Sequence, residues 1–169
     1  MSKTLALLRH AKSDWDAGTT DIDRPLNKRG KKDAPSLGRW LQRQAWRPQL
    51  ILSSPAVRAR QTIEAVIEQA GMQDVELRWE EELYLASRKS LLQRIRGLSQ
   101  ETKSVLLVGH NPGLEEVLEY LSRTAVPTTD SDKLFTTANL ALLRLDGNWK
   151  DAGRGTAELV ELVRPRDLG

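Results

Sequence analysis

The chain carries two histidines, His10 and His110, and both stand where a short apolar run gives way to a loop or a helix start. Leu5–Leu8 leads into Arg9-His10, and Val105–Val108 leads into Gly109-His110-Asn111-Pro112-Gly113. A third apolar run, Leu50–Leu52, ends in Ser53-Ser54-Pro55, with Arg58 just beyond it. Imidazole beside guanidinium suits an anion, and phosphate above all. Guanidinium forks match phosphate oxygens through paired hydrogen bonds and keep their charge at any working pH. A helix start at Pro55 adds unpaired N–H groups and a positive dipole end. A phosphate held next to an imidazole suggests nucleophilic transfer through a phosphohistidine. Metal binding is the rival reading, but Arg9 and Arg58 would repel a cation, so no metal is expected. There is no G-x-x-x-x-G-K-[ST] run, which removes a P-loop nucleotide site. A histidine after a strand is often only a structural hydrogen-bond partner or a cap. Here, however, both of the chain's histidines hold such a place.

The elements needed to bring these residues together can be read from periodicity. Lys3–Arg9, Gln49–Ser53, Val75–Trp79 and Ser104–Val108 read as strands, and Asn139–Leu145 and Ala157–Val163 as a late antiparallel pair. Lys28–Gln44, Pro55–Gly71, Arg88–Leu98 and a segment opened by Asn111 or Pro112 read as helices. Pro35 should kink the first helix or start it afresh. Ser54 is the expected N-cap of the second and Gly71 its C-terminal cap. The alternation implies an α/β fold: a mainly parallel central sheet with helices on both faces and an antiparallel edge. In such sheets ligands bind beyond the carboxyl ends of the strands. Arg9, His10, Arg58 and His110 all leave that edge, although they are far apart in sequence.

Composition bounds the class. A length of 169 residues fits one domain, expected over residues 1–169, and a chain of about this size buries about 70% of its unfolded surface. The absence of cysteine excludes disulfides, thiolate metal sites and a cysteine nucleophile. No apolar run approaches a membrane span or a signal h-region, so a cytoplasmic protein without a membrane partner is expected. The formal net charge of +3 is too small to argue for nucleic acid. The basic cluster Lys28, Arg29, Lys31 and Lys32 reads as a solvated helix face, or as a surface that steers an acidic partner. Trp15 falls either at the mouth of the site or in packing.

Four segments together resemble the histidine phosphatase superfamily. L-L-R-H-A-K-S at Leu7–Ser13 is similar to its R-H-G signature, and D-R-P-L-N-K-R-G at Asp23–Gly30 to the loop and helix entry that follow. S-S-P-A-V-R-A-R-Q-T at Ser53–Thr62 resembles the second motif, and V-G-H-N-P-G at Val108–Gly113 the third. Their order, spacing and the compact length look most like the SixA-type phosphohistidine phosphatases, and Phe135–Leu145 looks similar to that branch's late strand. Ala11 departs from the glycine of the wider superfamily, as the SixA branch tolerates.

The resemblance implies a three-layer, phosphoglycerate mutase-like α/β/α sandwich without a lid insertion. His10 would be the nucleophile, and Arg9, Arg58 and His110 would cradle the phosphoryl group. Asn111, the Gly113 backbone, Lys12 and Ser13 are further candidates for substrate binding. No cofactor is implied, and a monomer is expected. The leaving group bears on the substrate. A phosphate ester expels an alkoxide and wants a general acid, whereas a phosphohistidine expels imidazole, whose conjugate acid has a pKa near ~6.5. Phosphomonoesterases of the superfamily place an acidic Glu near the third strand's exit. Glu82 is therefore a candidate acid, unless Glu80, Glu81 and Glu82 form only a solvated turn. Short connections leave an open site, which suits a phosphohistidine-bearing protein. The alternatives are a small-molecule phosphomonoesterase and a non-catalytic phosphate-binding module.

Overall fold

The computed structural model describes residues 2–128 and 135–168. In chain order the main elements are β1 (Ser2–Arg9), α1 (Lys28–Gln44), β2 (Leu50–Ser53), α2 (Val57–Ala70) and β3 (Glu76–Trp79). They are followed by α3 (Arg88–Arg96), β4 (Ser104–Gly109), α4 (Gly113–Leu121), β5 (Leu140–Asp146) and β6 (Ala157–Val163). The strands form one six-stranded sheet in the order β3-β2-β4-β1-β5-β6. β3, β2, β4 and β1 run parallel, while β5 is antiparallel to both of its neighbours. This is the expected mainly parallel sheet with an antiparallel edge.

The sheet is covered on both faces because its central strands are apolar on both. Along β1, Leu5 and Leu7 enter one core, with α3, α4 and Trp149. Ala6 and Leu8 enter the other, with Leu37 and Leu41 of α1 and Ile63 and Val66 of α2. Successive side chains of a strand point to opposite faces, so one strand serves both layers.

Strand order explains how distant residues meet. β4 lies between β1 and β2, with Arg9 level with Gly109 and Ser53 level with Val108. Three strand exits therefore emerge side by side. β1 continues toward α1 on one face and β4 toward α4 on the other, which opens a crevice between them.

Two local expectations need correction. α1 runs through Pro35, so the helix does not start afresh there. Proline removes only its own bond to the preceding turn, and burial of Leu37, Gly38 and Leu41 holds the rest of the helix in place. α2 begins at Val57 with Ala56 as its N-cap, not at Pro55 with Ser54. Ser54 Oγ accepts from the Ala56 amide at 3.2 Å, which forms a turn ahead of the helix. Gly71 does end α2, at φ 71°, a left-handed conformation that glycine adopts freely.

Candidate active site

His10 leaves β1 with its backbone fixed on both sides. Its amide donates to the Gly109 carbonyl at 3.2 Å, and its own carbonyl accepts from Ala138 at 3.1 Å. The next residue sets the imidazole. Nδ1 of His10 lies 2.7 Å from the Ala11 carbonyl, which can only accept, so Nδ1 carries the proton. A neutral ring in that tautomer leaves a lone pair on Nε2. Arg58 Nε donates toward this atom at 3.4 Å. Ala11 is in turn held by its amide, which donates to Thr62 Oγ1 at 2.9 Å. Its φ is not among the positive values of the described residues, so alanine carries no penalty where the wider superfamily has glycine.

Arg58 is 1% exposed. Its Nη1 donates to the Asp21 carbonyl at 2.6 Å and its Nη2 to the Asp21 carboxylate at 3.1 Å. That carboxylate also accepts from Arg24 Nη1 at 2.6 Å and from the Tyr84 hydroxyl. The Tyr84 hydrogen bond and the two arginines hold the Asp21 carboxyl far below the usual carboxylate range, so it stays ionised.

His110 closes the group, with its ring centroid 5.1 Å from that of His10. His110 Nε2 lies 2.7 Å from Ser54 Oγ. Ser54 Oγ accepts from Ala56 and keeps both a proton and a second lone pair, so it can pair with Nε2 in either tautomer of His110. His110 Nδ1 and Arg9 Nε are buried and lack a partner among the described residues. A buried polar group without a partner is costly.

Burial pushes the pKa of each imidazole down to about 3, with the neighbouring arginine charges adding to the effect. In the free site both rings are therefore neutral, and His10 Nε2 is available as a nucleophile throughout the neutral range. Bound phosphate would bring a negative charge beside His110 and favour its protonated form.

These side chains form the floor of an open cleft of ≈ 720 Å³. Arg9, His10, Arg58 and His110 all line it, as do Lys12, Ser13 and Asn111. Ser13 Oγ accepts from Arg24 Nε at 2.9 Å. The Asn111 amide is engaged locally: Nδ2 donates to the Phe135 carbonyl at 2.6 Å and Oδ1 accepts from Glu115 at 3.2 Å.

Two candidates fall outside the cleft. Gly113 is absent from its wall, and a Cβ there would lie 1.9 Å from the Ala86 carbonyl oxygen. Its place is explained by close packing. Glu82 is exposed and also does not line the cleft. The Glu81–Leu83 turn buries Leu83 and leaves both glutamates in solvent, while Glu80 is locked to Arg94 at 2.6 and 2.9 Å. Asp21, Arg24, Tyr84 and Thr62 were not legible as site residues. Arg24 and Thr62 lie inside segments that carry the family resemblance, but nothing in their spacing shows which atoms they hold.

The sequence and the fold are similar to those of known proteins. Residues 5–84 match the model of the histidine phosphatase superfamily (branch 1). An uncharacterized protein of Mycobacterium tuberculosis is 37% identical over 94% of this chain and 100% of its own length. The chain belongs to the histidine phosphatase superfamily. An uncharacterized chloroplastic protein of Arabidopsis thaliana is 33% identical over 98% of this chain and 79% of its own. Two solved structures bearing the name phosphohistidine phosphatase SixA are similar throughout. The one from Nakamurella multipartitia is 28% identical, covers 98% of this chain and 97% of its own, and has a TM-score of 0.81. The one from Agrobacterium tumefaciens is 31% identical, covers 96% and 98%, and has a TM-score of 0.77. The fold is that of the SixA-type members of the superfamily.

Proposed function

We propose that the protein is a metal-independent phosphatase that removes phosphoryl groups from histidine residues of proteins, through a covalent intermediate on His10. The reaction has two transfers. His10 Nε2 attacks phosphorus; the new N–P bond forms as the substrate's N–P bond breaks, and the substrate ring, which binds with a proton on its other nitrogen, departs as neutral imidazole. Water then attacks phosphorus, the bond to Nε2 breaks, and phosphate leaves with His10 again neutral. The proton stays on Nδ1, donated to the Ala11 carbonyl throughout, which keeps Nε2 aimed at phosphorus. Arg9, Arg58 and His110 face the phosphoryl oxygens, and phosphoryl transfer gains mostly from such positioning and charge.

One observation carries the choice of substrate. Among the described residues, the carboxylates lining the cleft are Asp21 and Glu115, and neither is placed as a proton donor. Asp21 is held ionised by Tyr84, Arg24 and Arg58. Glu115 accepts from the Phe135 amide at 3.1 Å. An alkoxide leaving group would want an acid there; an imidazole needs little help. The names of the two SixA structures support the same reading. The protein would then act in the cytoplasm on a phosphorelay or sugar-transport phosphocarrier.

The test is a panel of a phosphohistidine carrier protein, p-nitrophenyl phosphate and sugar phosphates, assayed for phosphate release. Parallel alkaline quenching should trap labelled phosphate on His10. Release from the carrier, with label on His10, is expected. Activity confined to sugar phosphates, with a large loss in Glu82→Gln, would establish a small-ester phosphatase instead.

A further inference from the structure

The cleft has a wall that the phosphoryl chemistry does not use. Among the described residues five large apolar side chains are strongly exposed, and two of them, Trp15 and Leu85, line this cleft. Trp15 is 77% exposed and Leu85 55% exposed. Isolated exposed apolar residues need no explanation, but two at the rim of one catalytic cleft do.

Both are held in place despite their exposure. The guanidinium carbon of Arg24 lies 3.6 Å from the centroid of the Trp15 ring. Arg24 is buried and is pinned by Ser13 and by the Asp21 carboxylate. The same carboxylate fixes Arg58 beside His10, so the indole is tied to the reacting centre through two arginines and one aspartate. Leu85 has a φ of 52°, in the left-handed region that a leucine adopts only at a cost in free energy. Such strain persists where the surroundings over-determine it, and it clusters at functional sites. Its neighbour Tyr84 supplies that constraint, with its ring edge-on to His110 at 5.5 Å and its hydroxyl on Asp21. An indole stacked on a buried guanidinium and an aliphatic side chain on a strained backbone thus border a floor made of charged and polar groups.

We propose that Trp15 and Leu85 form the leaving-group subsite, which receives the imidazole ring of the phosphohistidine and the apolar atoms beside it. This rests on the phosphohistidine reading and adds the residues that select the substrate. The departing ring is planar and leaves without charge, so it needs contact area and no counter-ion. An indole backed by a guanidinium provides a flat face, and Leu85 provides an aliphatic one.

Selectivity tests the proposal. Parent, Trp15→Ala, Trp15→Phe and Leu85→Ala are compared on a phosphohistidine carrier protein, on p-nitrophenyl phosphate and on phosphoramidate. Phosphoramidate presents the same phosphorus–nitrogen bond with no ring. Trp15→Ala should lower kcat/KM for the carrier roughly 5- to 10-fold more than for phosphoramidate, the scale of one lost aromatic contact. Trp15→Phe should restore most of that difference, and Leu85→Ala should shift it in the same direction by a smaller factor. Equal losses on all substrates, or an unchanged ratio, would overturn the subsite. If the parent ignores the carrier, the phosphohistidine reading fails on its own. The subsite then stands if Trp15→Ala selectively loses the aryl phosphate relative to phosphoramidate, and falls if it does not.

Discussion

The floor and the rim of the cleft are built in opposite ways. On the floor, His10, Arg58 and His110 are buried and leave the sheet from adjacent strand ends or the helix that follows. On the rim, Trp15 and Leu85 are exposed, sit in connections, and depend on side-chain contacts to hold their positions. The difference separates two tasks. In the proposed reaction the floor must keep its nitrogens where phosphoryl oxygens would lie, so it uses the stiffest part of the fold. The rim must fit what carries the phosphate, and connections can change without disturbing the sheet.

Substitutions on the floor should have the largest effects. His10→Ala should lower turnover more than about 1,000-fold on every phosphate, with no trapped intermediate. Single-turnover assays with labelled substrate check this; parent-like turnover would mean the nucleophile lies elsewhere. Arg58→Ala should cost about 100- to 1,000-fold, the scale of one lost oxyanion donor, and Arg58→Lys should recover only part because the fork is lost. If Arg58→Ala is nearly neutral in kcat/KM, the floor is not a charge cradle.

Gly113→Ala sharpens the boundary between chemistry and packing. The added Cβ would meet the Ala86 carbonyl, so a destabilisation of about 1–3 kcal/mol is expected in urea unfolding. Phosphate affinity of the folded fraction should be preserved.

The floor also predicts a pH signature. The folded pKa of each histidine is pushed down to about 3, below the ordinary ~6.5 of an unfolded chain. The unfolded state therefore binds more protons between these values, and stability falls as pH drops below about 6.5. Each ring contributes at most about 1.4 kcal/mol per pH unit in that window. His110→Ala should flatten the decline in Tm between pH 7 and 5. With only two histidines, the imidazole NMR signals are simple to assign, and neither should titrate between pH 8 and 5 in the free protein. A ring titrating near 6.5 would show the floor to be wetter than the structure has it. The smallest effect belongs to Glu82→Gln, which lies on neither floor nor rim and should change kcat/KM for a phosphohistidine protein less than about 2-fold, since surface changes away from special features are small.

Floor and rim also differed in how far they could be read in advance. Arg9, His10, Arg58 and His110 were legible because each adjoins an apolar run that can only be a buried strand, or the helix after one. Asp21 and Tyr84 were not, because their meeting joins residues 63 apart across two irregular segments. Glu82 showed the converse. It stands in the stretch where a related enzyme would keep its acid, yet the turn around Leu83 directs the chain so that Leu83 is buried and the glutamate is not. Pro35 does not restart α1 for a similar reason, since its local preference for a helix start is outweighed by packing of the whole helix.

The order of strands and helices, the two-faced core and the convergence of Arg9, His10, Arg58 and His110 on one edge of the sheet followed from sequence alone. Apolar periodicity and strand ends are local properties, and local chemistry fixes them. Tertiary structure decided which strand lies beside which, which nitrogen of the His10 imidazole holds its proton, and which side chains wall the cleft. Those depend on atoms brought together from distant parts of the chain, where a shift of one ångström makes or removes a hydrogen bond.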